Sequence, residues 1–177
     1  MFTPSRSSQA VCGEVECAIA HGKSEKGQES ARKAFADIGR RDIKVRKEAL
    51  KSRADHLKDT QHAFNAWIRQ RDIGQPCISC GTLVSREGVG GGFDAGHFRS
   101  RGAAPHLRFH EHNVAGQCKR CNRHMAGNVS AMRIGLIGRH GLEAVEALEN
   151  DNSTHKWTRE ELIAIRRYYT EKRKEIE

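Results

Sequence analysis

Two Cys-x-x-Cys pairs constrain this chain more than any other feature of its sequence. Cys77 and Cys80 form the first pair, and Cys118 and Cys121 form the second. Each pair can place two thiolates on one tetrahedral ion, and four thiolates leave no open position for water. The pattern therefore predicts a structural zinc (Zn2+) that joins two distant parts of the chain. A redox pair, or two unrelated cysteine pairs, are the alternatives.

A histidine-bearing segment lies between the two pairs. Its residue pattern predicts a first strand over Phe93–Arg99, a second over Leu107–Phe109 and a helix from about Asn122. A neutral imidazole at His97 can take a proton from water near pH 7, and an Asn122 carbonyl can bind a hard divalent cation. Strand, loop, strand and helix with these side chains are what a ββα-metal nuclease needs.

The composition favours a polyanionic partner. Lys and Arg number 31 against 22 acids, which gives a net charge of +9. A basic excess of this size favours nucleic acid, because binding releases counterions from the phosphates. No apolar run approaches the ~20 residues that span a membrane, and the N-terminal residues lack the apolar h-region of a secretory signal. We therefore expect a cytoplasmic, reducing environment, in which the six cysteines are metal ligands or free thiols.

Composition along the chain predicts four regions. Residues 1–27 are a poorly ordered tail, where Cys12 and Cys17 have only His21 nearby as a third ligand. Residues 28–72 are a basic helical arm with a candidate break at Gly39; it is either a solvated helix or a surface that tracks phosphates. Residues 73–128 form the core, and residues 129–177 form a C-terminal helical element for packing or docking. The run Gly88–Gly92 is predicted to be a flexible loop rather than a phosphate cradle.

Five short motifs resemble the NinG (Rap) recombination proteins of lambdoid phages, and the likeness runs from about residue 40 to the C-terminus. The motifs are C-I-S-C-G-T, D-A-G-H-F, A-A-P-H-L-R-F, Q-C-K-R-C-N and H-K-W-T. The central stretch is similar to the HNH/ββα-metal nucleases, which implies that His97 is the general base, Asn113 braces a loop and Asn122 binds a catalytic Mg2+ or Mn2+. The implied fold is α+β, a small zinc-stapled ββα-metal core with a long basic N-terminal helix and C-terminal helices.

The resemblance also implies an activity and a setting. It implies a structure-directed DNA endonuclease that cuts branched recombination intermediates, such as a Holliday junction or a D-loop, in the cytoplasm of the bacterial host. A resolvase often needs two active sites, so a homodimer is plausible. Two departures stand out: Gly96 precedes the base where many HNH enzymes have a second ligand, and only Cys12 and Cys17 remain of an N-terminal cysteine finger.

Asp94 is the acid nearest to the proposed base. Positions 94 and 97 face opposite sides of a regular strand, so Asp94 is expected to help bind the catalytic ion only if Gly96 bends or bulges the strand. Otherwise Asn122 and water molecules would hold the ion.

Several basic side chains are candidate DNA contacts, and none is an obvious reader of bases, so DNA shape should outweigh sequence. The arginines near the proposed site could clamp phosphate, His124 could touch phosphate, and the arm could follow the backbone. These candidates are Arg99, Arg101, Arg108, His124, Lys44, Lys47 and Lys51. A non-catalytic zinc-ribbon nucleic-acid-binding protein, or a helical adaptor, would explain part of the same pattern.

Overall fold

The structure is a computed structural model that describes residues 3–7, 9–84 and 92–176. The chain divides into two compact units, residues 1–51 and residues 52–177. Of the predicted glycine loop, residues 88–91 lie outside the described part. No helix in that part is long and apolar enough to cross a membrane.

The first unit consists of two helices. Helix α1 spans Val15–Lys23 and α2 spans Glu25–Ala49, with Ser24 capping α2 by accepting a hydrogen bond from the Gly27 amide. Helix α1 thus lies within residues 1–27, the stretch predicted to be a poorly ordered tail. The suggested break at Gly39 was wrong, because α2 continues through it and ends ten residues later.

The second unit begins with a helix that is buried along one side. Helix α3 spans Arg53–Arg71 and starts at Ser52, whose side chain forms a capping box with Asp55. It packs against α6, Arg159–Lys174, which starts at a capping box between Thr158 and Glu161. The core between these helices is largely aromatic and contains Phe64, Trp67, Ile68, Phe109, Leu162 and Tyr169.

A two-stranded antiparallel sheet forms the centre of the second unit. Strand β1, Phe93–His97, pairs with β2, Val114–Cys118, so that Phe93 lies opposite Cys118 and His97 opposite Val114. The predicted second strand over Leu107–Phe109 was wrong. Pro105 starts a 3-10 turn there, and a second such turn covers Glu111–Asn113. The side chains of Leu107 and Phe109 are buried because they pack into two separate cores, and neither residue belongs to a strand.

The chain after β2 is helical. A single π-helical turn, Arg120–His124, is followed by α4, Val129–His140, and α5, Leu142–Asn150. The helix expected at Asn122 is thus only one turn long. Side chains from α4, α5 and the loop after β1 form a second core, which contains Phe98, Ala104, Leu107, Ala115, Met132, Leu136, Val145 and Leu148. The fold is mixed α+β, mostly helical with a small sheet.

Helix α4 touches the first cysteine pair through Gly135. A Cβ atom at this position would lie 2.0 Å from the carbonyl oxygen of Ile78. We expect Gly135→Ala to lower the free energy of unfolding by about 1–3 kcal/mol, because the helix must move away from the cysteine turn. Gly138→Ala, in the same helix but facing open space, should instead stabilise by up to ~1 kcal/mol. Urea denaturation measures both, and equal effects would contradict the close packing.

Candidate functional site

The first cysteine pair lies in a tight turn. The Cys77 amide donates to the Thr82 carbonyl at 2.8 Å, and the Gly81 amide donates to the Cys77 carbonyl at 2.9 Å. Gly81 has a φ of +72°, a conformation that favours glycine. The Ile78 amide in turn donates to the Gly116 carbonyl at 3.1 Å, which ties the turn to β2.

The second pair completes a four-sulfur cluster. Cys118 ends β2 and Cys121 lies in the π-helical turn. The four cysteine Sγ atoms all lie within 4.8 Å of one another, and those of Cys80 and Cys118 are 3.7 Å apart. Tetrahedral Zn–S bonds of about 2.3 Å separate the sulfurs by about 3.8 Å. Within the described residues this is the one cluster of its kind, and it could hold a zinc ion as the sequence predicted.

The thiols of the cluster differ in acidity. Hydrogen bonds with Thr82 lower the pKa of Cys80 to about 6, whereas burial raises the pKa of Cys118 to about 12. Backbone amides approach two of the sulfurs: Cys118 N lies 3.3 Å from Cys77 Sγ, and Cys121 N lies 3.5 Å from Cys118 Sγ. Such amides stabilise thiolates, and a divalent cation would be needed to deprotonate the whole set at neutral pH.

A second candidate site is a pocket of about 360 Å³ beside β1. It brings together three of the predicted catalytic residues, Asp94, His97 and Asn122, with several cationic and amide side chains. The polar side chains that line it are Asn65, Arg69, Asp94, His97, Ser100, Arg101, Asn122 and Arg123.

His97 is hydrogen-bonded to the backbone. Its Nε2 lies 3.1 Å from the carbonyl oxygen of Arg108. Because a carbonyl can only accept, this contact favours the tautomer that carries the proton on Nε2 and leaves Nδ1 as the basic nitrogen. Burial lowers the pKa of His97 to about 4, and the nearby charges of Arg101 and Arg108 act in the same direction. The imidazole is therefore neutral at pH 7 and can accept a proton.

The lowered pKa of His97 predicts a distinct titration. A ring with a pKa near 4 stays neutral as the pH falls through 6.5, the ordinary value, and gains its proton only about two units lower. We expect ¹H–¹⁵N NMR of the imidazole to show the Nε2–H tautomer unchanged at pH 6. A midpoint near 6.5 for His97 would contradict the buried, neutral ring.

Asp94 and Asn122 are direct neighbours. Asn122 Nδ2 donates to Asp94 Oδ2 at 3.0 Å, so the Asn122 Oδ1 remains available as an oxygen ligand. Arg123 donates to both carboxylate oxygens, at 2.6 and 2.8 Å, and lowers the pKa of Asp94. The β1–β2 register is unbroken, so Gly96 does not bulge the strand, and the Asp94 side chain nevertheless reaches Asn122.

Asn113 lies behind the pocket rather than in it. Its side chain is fully buried. Oδ1 accepts from the Arg99 amide at 2.8 Å, while Nδ2 donates to the carbonyls of Arg99 and Leu107 at 3.0 and 3.1 Å. These bonds hold both ends of the loop that carries Arg101 along the pocket wall.

Of the three arginines expected to clamp phosphate, Arg101 alone lines the pocket. The Arg99 guanidinium donates to the Leu148 carbonyl at 2.8 Å, and that of Arg108 donates to Gln61 Oε1 at 3.3 Å. His124 is exposed and outside the pocket lining. Among the arm lysines, Lys44 and Lys47 lie on α2 and Lys51 follows it, so all three belong to the first unit.

The family follows from comparison with known proteins. The model of the family described as Bacteriophage Lambda NinG protein matches residues 1–177. The chain belongs to the NinG family. It is 48% identical over 134 residues to Protein ninG of Escherichia phage lambda and of Salmonella phage P22, and 47% identical to that of Enterobacteria phage H19B.

The match covers 76% of this chain and 63–64% of each NinG relative. The chain thus spans less than two thirds of the length of the curated relatives that it matches. The resemblance to phage NinG proteins is confirmed. No solved structure matches the chain.

Two pocket residues of this NinG family member were missed by sequence reasoning. Asn65 and Arg69 lie one helical turn apart on α3 and line the pocket. The apolar residues Phe64, Trp67 and Ile68 at the end of this helix predict only that it packs on the core. The i, i+4 spacing of two polar side chains opposite that apolar face was the available signal.

Proposed function

We propose that this NinG family member is a divalent-metal-dependent DNA endonuclease of the HNH-like, ββα-metal type. The observation that supports the proposal best is the pocket in which a neutral His97 lies with the Asp94–Asn122 pair and Arg101. The order of elements is also that of a ββα module, since β1 and β2 are followed by the helical turn that carries Asn122.

His97 would act as the general base. Its Nδ1 takes a proton from a water molecule as the water oxygen bonds to phosphorus and the bond from phosphorus to the 3′-oxygen breaks. Asn122 Oδ1 and the Asp94 carboxylate are the oxygen atoms that fit Mg2+ or Mn2+. When bound, the ion would stabilise the charge that develops on the phosphate and the leaving oxygen. Arg101 would pair with a non-bridging phosphate oxygen.

Arg123 would have a conditional part in this scheme. In the structure it forms a bidentate pair with Asp94. A cation bound at the Asp94 carboxylate would compete with the Arg123 guanidinium for the same oxygens and would weaken this pair. The guanidinium would then be available to bind the phosphate.

The zinc cluster would have a structural role. Cys118 is the last residue of β2 and pairs with Phe93 of β1, and Cys121 directly precedes Asn122. With an ion held by both pairs, the four cysteines would join the sheet and the helical turn to the first cysteine turn, and would thereby hold His97 and Asn122 at a constant distance. Four thiolates fill a tetrahedral shell, so this ion would not bind the attacking water.

The choice of DNA is proposed from the family resemblance. NinG-like proteins are expected to cut branched recombination intermediates, a Holliday junction or a D-loop, in the cytoplasm of the host. A homodimer would supply the two active sites that symmetrical cleavage of a junction requires.

A second candidate function is nucleic-acid binding without catalysis. The pairing of Asp94 with Arg123 favours it, because the carboxylate is already neutralised. Incubation with branched and linear DNA, in Mg2+, in Mn2+ and without added divalent ions, separates the two. Metal-dependent nicking supports the endonuclease, whereas DNA binding with no nicking of any substrate supports the binding protein.

A further inference from the structure

A polar stripe runs along the side of α3 that faces away from the core. Lys58, His62, Asn65 and Arg69 are spaced by four, three and four residues, which places them on one side of a helix. The opposite side is buried and carries Thr60, Phe64 and Trp67. At 1.5 Å per residue the stripe is about 16 Å long.

Three side chains of this stripe have no partner in the described part of the chain. The side chains of Lys58, His62 and Arg69 have no hydrogen-bond or ion-pair partner within the described part of the chain. The acids of the helix are engaged elsewhere: Asp55 closes the capping box with Ser52, and Asp59 pairs with Arg166 on α6 at 3.2 Å. The stripe therefore presents uncompensated positive charge.

One end of the stripe enters the pocket. Arg69 and Asn65 line it together with His97. Asn65 is held by Gln61, whose Nε2 donates to Asn65 Oδ1 at 2.8 Å, while Gln61 Oε1 accepts from Arg108. With its oxygen occupied, Asn65 has its Nδ2 donor available. The backbone carbonyl of Arg108 also accepts the His97 hydrogen bond. Arg108 therefore orients the imidazole directly and the Asn65 amide through Gln61.

We propose that the stripe Lys58–His62–Asn65–Arg69 binds the sugar–phosphate backbone of the DNA strand on one side of the bond to be cut. The position of this strand relative to the scissile bond rests on the proposed endonuclease activity. Binding of the strand by the stripe does not depend on that activity. All four side chains can donate hydrogen bonds to phosphate oxygens. Each DNA strand carries a phosphate about every 3.4 Å of helix axis, so 16 Å spans about five. Arg69 would hold the phosphate nearest to His97.

The test measures DNA binding by the full chain, with Ca2+ in place of Mg2+. Fluorescence anisotropy gives the affinity at several salt concentrations. The double variant Lys58→Ala/Arg69→Ala should bind branched DNA about tenfold more weakly at 100 mM salt. The slope of log K against log salt should fall by about 2, because two phosphate contacts are lost. Arg69→Lys should keep the slope, since the charge remains.

A matched control removes the same charge from α6. Arg159 and Arg167 are exposed and have no partner within the described part of the chain. Arg159→Ala/Arg167→Ala should weaken binding less than twofold. Equal loss in both double variants, or no loss in the stripe variant, would overturn the strand-binding stripe. Zinc content and melting temperature, measured on each variant, identify a folding defect.

The two proposals fail separately. A protein that binds DNA through the stripe but nicks nothing in Mg2+ or Mn2+ overturns the endonuclease and leaves the stripe intact. A protein that nicks DNA while the stripe variant binds normally overturns the stripe alone.

Discussion

The His97→Ala variant is expected to nick DNA about 10²–10⁴-fold more slowly than the native chain while it keeps its zinc and its DNA affinity. The ring lies in the pocket and is hydrogen-bonded to the Arg108 carbonyl, and none of the cysteines lines this pocket. Its removal takes away the proton acceptor without touching the phosphate contacts. Single-turnover cleavage with excess protein measures the chemical step directly.

His155→Ala is the matched control for this variant. It removes the same side chain from an exposed position that does not line the pocket, so nicking should stay within about twofold of native. Nicking at the native rate by His97→Ala would exclude the imidazole as the base. A slow His97→Ala protein that also loses zinc or melts early would point instead to a structural role for this histidine.

The parts of the site that the sequence could predict are those encoded by local spacing. Two Cys-x-x-Cys pairs require only that their turns meet, and the structure brings the four sulfurs together. The capping box at Thr158 likewise needs residues three positions apart. In both patterns the spacing of the residues along the chain defines the geometry, so the tertiary fold was not needed to predict them.

The second strand was predicted at the wrong position because the alternating apolar residues Leu107 and Phe109 were interpreted as the buried side of a strand. Leu107 and Phe109 alternate in the sequence as strand residues do, yet each enters a different core from a loop that Pro105 has turned. The real strand, Val114–Cys118, contains glycine and glutamine and has weak strand propensity. Its pairing is fixed by tertiary contacts, including the Ile78 amide on the Gly116 carbonyl.

The arginines show why side-chain roles were harder to predict than elements. Arg99 and Arg101 are two residues apart, but one donates to the carbonyls of the α5 end and the other lines the pocket. The partner of Arg99 lies almost fifty residues away in sequence. Arg69 enters the pocket from α3, which precedes the cysteine module altogether. Such long-range neighbours are set by helix packing, which spacing within one segment does not encode.

The pairing of Asp94 with Asn122 also depended on tertiary structure. Strand alternation placed Asp94 on the side away from His97, and that argument considered only the backbone. The flexible carboxylate instead leans towards the π-helical turn, where Asn122 and Arg123 hold it. A short strand next to a helical turn lets side chains from both of its faces reach one pocket.

The Cys77→Ser variant should lose the zinc ion and, with it, much of the stability of the second unit. A two-stranded sheet is marginally stable alone. The small core beside it contains Val84, Phe93 and two of the cysteines themselves. Zinc binding contributes about 10–16 kcal/mol of apparent free energy to zinc-finger peptides, which is comparable with the whole stability of an ordinary domain, about 5–15 kcal/mol. Zinc release to a chromogenic chelator and thermal melting measure the two effects.

Cys12→Ser and Cys17→Ser are the matched controls, because these thiols lie in the first unit and outside the four-sulfur cluster. They should leave zinc content at about one ion per chain and the melting temperature of the second unit unchanged. A Cys77→Ser protein that melts cooperatively at the native temperature would show that the sheet and its helical turn hold together without the ion. The pocket geometry would then have to come from the α3–α6 core alone, and DNA nicking should survive zinc removal. If zinc fixes the distance between His97 and Asn122, nicking should instead fall in parallel with zinc content across a chelator titration.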